Sequence, residues 1–169
     1  LRAYQYFYRL RKLGDFPIIK EVLPDNKEAL VEASKRQPRN EVARFILQDL
    51  DKAIEYLTNN PDGGKARITK NAALVLKARV ALFEATWEKY HAGTALVPNG
   101  KGWPGAEKDY NKGYQFPSGS PEAEVNFFLD QANKELDKQL IGFDANASKA
   151  LLEYHWPGNL RQMKNIIKR

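Results

Sequence analysis

Cysteine is absent from the 169 residues, methionine occurs once and histidine twice. Without thiols the chain has no disulfide, no thiolate metal site and no cysteine nucleophile. The two histidines, His91 and His155, stand far apart, and neither has a ligand-type residue at i+3 or i+4. No metal site is expected on the spacing rules for zinc. No apolar run approaches the roughly 18–20 residues needed to span a bilayer, so no transmembrane segment is expected. Phosphate-binding chemistry is missing too: there is no Gly-x-x-x-x-Gly-Lys-Ser/Thr loop and no apolar strand ending in paired acids.

What is present is an ordinary globular mixture, 43% hydrophobic and 28% charged, enough for one domain or for one with a small satellite. The net charge of +6 is spread along the chain, which reads as a solvated surface and gives no expectation of a nucleic-acid partner. The chain opens at Leu1 and ends at Arg169 inside helix-forming stretches, as expected of a piece of something longer.

Helical signals dominate. Tyr4, Phe7, Tyr8 and Arg11 share one face of a first helix that Gly14 closes. Asp15 to Ile19 reads as an extended exit, and Asp25 to Ser34 as a weakly helical or irregular stretch. Asn40 is expected to cap a strong helix whose stripe is Val42, Phe45, Ile46, Leu50, Ala53, Ile54 and Leu57. Thr69 caps the next, running to about Tyr90 with almost no polar face, which predicts the buried centre of a bundle. Ser120 and Pro121 start another helix, to about Leu140. Shorter helices follow Asp144 and the turn at Trp156 to Asn159. Between the long helices, His91 to Ser120 is rich in glycine, proline and aromatics. So long a stretch without regular structure is uncommon within a domain, and such loops carry function.

The chain is therefore read as all-α: a TPR-like helical bundle with a long Gly/Pro/aromatic loop and a small C-terminal helical appendix. On the loop, Trp103, Tyr110 and Tyr114 are candidates for stacking on sugar rings, against the alternative that they pack the loop onto the bundle. Trp87 and Tyr90 read as core. Glu84 and Glu88 share a helical face, but Lys77 and Lys89 nearby make ordinary surface pairs the preferred reading. Asp49 and Asp51 fall on different faces and suggest no acid–base pair. No catalytic residue and no cofactor are assigned.

Two stretches resemble known families. Leu1-Arg2-Ala3-Tyr4, Tyr6-Phe7 and Gly14 to Ile19 open one series. Arg39, Asp49 to Ile54, Ala72 to Leu82, Trp87 to His91 and Phe127 to Ala132 continue it. In order and spacing these resemble the SusD/RagB family of Bacteroidetes outer-membrane nutrient-binding lipoproteins. The resemblance, over residues 1–132, implies a helical scaffold at the outer-membrane surface that captures a glycan ligand, without catalysis, beside a TonB-dependent porin. The family's lipobox and most of its ligand-binding half have no counterpart in this sequence.

The tail is similar to something else. Ile141-Gly142-Phe143-Asp144 and Leu151 through Ile167, with the run Trp156-Pro157-Gly158-Asn159-Leu160-Arg161, resemble the lid subdomain of NtrC-type AAA+ transcriptional activators. That resemblance, over Phe128 to Arg169 with the lid-like domain itself drawn at 133–169, implies that Arg161 stands where the family's sensor-2 arginine reads nucleotide phosphates. It also implies a cytoplasmic setting if the tail defines the protein. With no phosphate loop to face, Arg161 reads here as a surface or capping residue. The chain reads as a composite joined inside one helix between about Phe127 and Lys134. A SusD-like glycan-binding fragment is the preferred function, and a fragment of an AAA+ activator the alternative.

Overall fold

The computed structural model describes residues 1–63 and 66–136. Five helices carry the fold: α1 (Arg2–Leu13), α2 (Lys27–Ala33), α3 (Arg39–Tyr56), α4 (Lys70–Tyr90) and α5 (Pro121–Leu136). Two short strands, β1 (Phe16–Pro17) and β2 (Arg36–Gln37), pair antiparallel and tie the exit of α1 to the entry of α3. The helices stack in a row. Helix α1 packs on α3, α3 on α4, and α4 on α5.

Local chemistry explains most helix ends. The Thr69 hydroxyl accepts the Ala72 amide and the Ser120 hydroxyl accepts the Ala123 amide, each satisfying a donor of the first turn. Gly14 closes α1 at φ 66°, a conformation that costs glycine little. Asn26 caps α2 through Ala29, so the stretch expected to be weakly helical does form a helix. Helix α3 departs from expectation. It starts at Arg39 behind Pro38, and Asn40 is not its cap but a fully buried member of its first turn.

The core is built from Phe7 and Leu10 of α1, Val42, Phe45, Ile46 and Leu50 of α3, Val80 and Ala81 of α4, and Phe128 and Ala132 of α5. Full burial of a side chain such as Phe128 is worth about 1.5–3 kcal/mol. The buried face of α1 is Ala3, Tyr6, Phe7 and Leu10, while Tyr4 and Tyr8 are exposed, so the predicted face is rotated by about one residue. Helix α4 is central as expected, but not apolar all round. Lys77, Glu84 and Glu88 are among its buried residues, whereas Val75 and Leu82 are exposed. The reading of Glu84, Glu88 and Lys77 as ordinary surface charges is therefore corrected. Helix α5 runs unbroken through Phe127 to Lys134, the stretch where the join between the two resemblances is expected. No helix among the described residues is long and apolar enough to cross a membrane.

Candidate binding pocket under the aromatic loop

Two polar pegs fix the loop between α4 and α5 to the bundle. Trp103 is only 3% exposed. Its indole Nε1–H donates to Asp15 Oδ2 at 2.7 Å, while the Arg39 amide donates to Asp15 Oδ1 at 2.9 Å. Burial holds the Asp15 carboxyl above its ordinary value, and these two donors offset only part of that rise. The second peg is Tyr114. Asn40 Nδ2 donates to its hydroxyl oxygen at 2.7 Å, and Glu41 Oε1 lies 3.4 Å from that oxygen. Burial raises the Tyr114 hydroxyl well above its ordinary range, against the hydrogen bond from Asn40. Gly105 lies flat against the Trp103 indole, where a Cβ would come 2.1 Å from Cζ2. Two single turns of 3-10 helix, Pro104–Glu107 and Asp109–Asn111, complete this wall.

Beneath the loop runs a row of buried ion pairs. The Arg39 guanidinium forms a two-pronged pair with Glu84 at 2.7 and 2.8 Å, both side chains buried. It also lies over the Trp87 ring at 4.4 Å. Arg44 forms a second fork with Glu124, at 2.7 and 2.8 Å, and donates to Ser118 Oγ. Glu124 also accepts from Asn40 Nδ2 at 3.1 Å and from the Ser118 amide at 3.2 Å. Burial alone would raise the Glu124 carboxyl, but Arg44, Ser118 and Asn40 outweigh it and hold it below its ordinary value. Elsewhere on α4, the buried Lys77 bridges the exposed Asp51 and the half-buried Glu135.

These pegs and pairs leave an open cavity of about 340 Å³ between the end of α1, the start of α3 and the loop. Leu10 to Asp15, Arg36, Arg39, Trp87, Leu96, Trp103 and Tyr110 contribute to its wall, with Lys108 from the loop. The volume lies at the low end of small-molecule sites, which run from about 300 to 1,000 Å³.

The structure separates the three loop aromatics. Trp103 has an edge on the cavity, but its ring is covered by Gly105 and by Tyr114, whose centroid is 5.9 Å away. Tyr114 is not part of the wall; it packs against Phe116 and α3. Tyr110 is 42% exposed at the rim, with Lys35 5.8 Å from its ring centroid. Trp87 is half-buried, flanked by Arg39 and by His91, whose ring centroid lies 4.4 Å away. Arg161 lies outside the described residues. Among the described residues, no three His, Asp or Glu side chains are grouped to hold a metal ion. The buried ion pairs were missed from sequence. Their signal was the spacing of Lys77, Glu84 and Glu88, which places three charges on one stripe of an otherwise apolar helix.

Both resemblances have counterparts among known proteins. The family model of the AAA+ ATPase lid domain matches residues 124–169. The transcriptional regulatory protein XylR of Pseudomonas putida is 40% identical over 45 residues, 27% of this chain and 8% of that protein. The alginate biosynthesis transcriptional regulatory protein AlgB of Pseudomonas syringae pv. tomato is 45% identical over 42 residues, 25% of this chain and 9% of that protein. The Psp operon transcriptional activator of Escherichia coli is 39% identical over 46 residues, 27% of this chain and 14% of that protein. Among solved structures, a SusD-like protein from Bacteroides fragilis is 37% identical, with a TM-score of 0.44, over 52% of this chain and 17% of that one. The chain thus spans less than a fifth of the length of each of these proteins.

Proposed function

We propose that the helical unit is a non-catalytic binding scaffold, part of a SusD-like glycan-capturing protein, and that the cavity beneath the loop receives the ligand. The observation that carries this reading is the cavity's construction: a small open site whose wall is fixed by two buried pegs and by paired charges, a preformed surface of the kind that binds at low entropic cost. The only carboxylate on its wall among the described residues, Asp15, has both oxygens engaged by Trp103 and Arg39, which suits a structural rather than an acid–base role. On this reading the protein works at the outer-membrane surface, next to a porin. Screening the chain against a glycan array, followed by calorimetry on the hits, tests it. Saturable binding that weakens in Tyr110→Ala is the expected result, and absence of any saccharide binding contradicts it.

The lid match over residues 124–169 favours one other reading, in which the chain is a piece of a cytoplasmic activator and Arg161 senses nucleotide. That reading predicts magnesium-dependent ATP binding that is lost in Arg161→Ala. The preferred reading predicts no such Arg161-dependent binding.

A further inference from the structure

We infer that the cavity beneath the loop selects an acidic saccharide, one carrying carboxylate or sulfate groups, over a neutral one; this rests on the proposed scaffold reading and names the ligand class for the same site. Among the described residues, five cationic side chains stand on the wall: Arg11, Lys12, Arg36, Arg39 and Lys108. Arg39 is consumed by its fork with Glu84. None of the other four forms a salt bridge among the described residues. Arg11 and Lys12 rest against the rings of Phe7 and Tyr8, and Arg36 and Lys108 are exposed. Against these four charges stands one carboxylate, Asp15, whose oxygens are already taken. Glu107 and Asp109 flank Lys108 in sequence but are not on the wall.

The aromatic alternative for recognition is largely spent. Trp103 is covered by Gly105 and Tyr114, and Trp87 by Arg39 and His91, so only Tyr110 offers an open ring. What the cavity presents is excess positive charge in a concave, partly apolar site. Such a site concentrates anions, because low-dielectric walls focus the field. A guanidinium such as that of Arg36 can fork onto a carboxylate or sulfate, and Lys108 adds a point charge to the same wall. Tyr110 at the rim can lie along the apolar face of a sugar ring, which distinguishes an acidic saccharide from a bare anion.

The test is calorimetry on the whole 169-residue chain with four probes: an oligogalacturonate, a sulfated oligosaccharide of similar length, a neutral oligosaccharide, and inorganic sulfate. The expected result is binding of one or both acidic saccharides, weakened by added salt. Arg36→Gln and Lys108→Gln should each lower their affinity by about tenfold, the worth of a hydrogen bond to a charged group. Both residues are exposed, and circular dichroism checks that the variants fold. Which acidic probe binds more tightly assigns the group as carboxylate or sulfate. Neutral saccharide bound as tightly as the acidic ones overturns the inference while leaving the scaffold reading intact. Inorganic sulfate bound as tightly as either acidic saccharide overturns it in favour of a plain anion site. No binding of any saccharide overturns both.

Discussion

Glu88 follows Glu84 by one helical turn on α4, and both carboxyls are buried, yet only Glu84 has a cation. Arg39 grips Glu84 with two hydrogen bonds, whereas neither oxygen of Glu88 has a hydrogen-bond partner among the described residues. Glu88 lines a smaller cavity of about 120 Å³, together with Pro98, Gly100 and Phe116. Burial, reinforced by the negative charge of Glu84, pushes its carboxyl up to about 9. Glu88 is therefore a neutral acid at physiological pH.

A pH dependence follows. In the unfolded chain Glu88 ionises near the ordinary glutamate value, so between there and about pH 9 the folded state holds a proton that the unfolded state has released. Stability from this group is greatest in acid and declines as pH rises through that window, by about 1.4 kcal/mol per pH unit. Glu88→Gln should remove this decline and stabilise the protein at pH 8 by up to roughly 5 kcal/mol. Urea midpoints of parent and variant at pH 5, 6.5 and 8 check this. The two curves should converge toward acid, and parallel curves would contradict the assignment.

The Arg39–Glu84 pair makes a different prediction. Removing one partner strands a charge in the core. Glu84→Leu and Arg39→Met should each destabilise by about 3–5 kcal/mol, while the double variant Arg39→Met with Glu84→Leu should recover most of that loss. A double-mutant cycle by denaturant unfolding reads the coupling. Additive losses would mean that the two side chains do not act as a pair.

Gly105 is required by the Trp103 ring rather than by its own backbone. A methyl there overlaps the indole, so Gly105→Ala should displace Trp103 from Asp15 and cost about 1–3 kcal/mol. Near-ultraviolet circular dichroism should show the tryptophan signal change. Ligand affinity should fall with it, because Trp103 anchors the cavity wall.

What the sequence disclosed and what it hid divide along chain distance. The caps at Thr69 and Ser120, the glycine stop at Gly14 and the stripe Val42, Phe45, Ile46, Leu50 were legible because each is decided by residues within a few positions. Asn40 reads as a cap from its neighbours alone, because its true partners, Tyr114 and Glu124, lie 74 and 84 residues further on. Glu84 looked like a surface charge for the same reason, since Arg39 is 45 residues away. The loop was legible as a special segment from its glycines, prolines and aromatics. Which aromatic is open could not be read there, since covering Trp103 and Tyr114 takes Asp15 and Asn40 from distant elements.

The proposed saccharide site is the cavity between α1, the start of α3 and the loop. Amide NMR shifts recorded while titrating the ¹⁵N-labelled chain with oligogalacturonate test it most directly. Saturable shifts should concentrate at 11–15, 36 and 95–111, with the α3–α4 core at 42–50 and 78–85 unmoved. Shifts centred outside those segments, or no shifts at saturating saccharide, would contradict it.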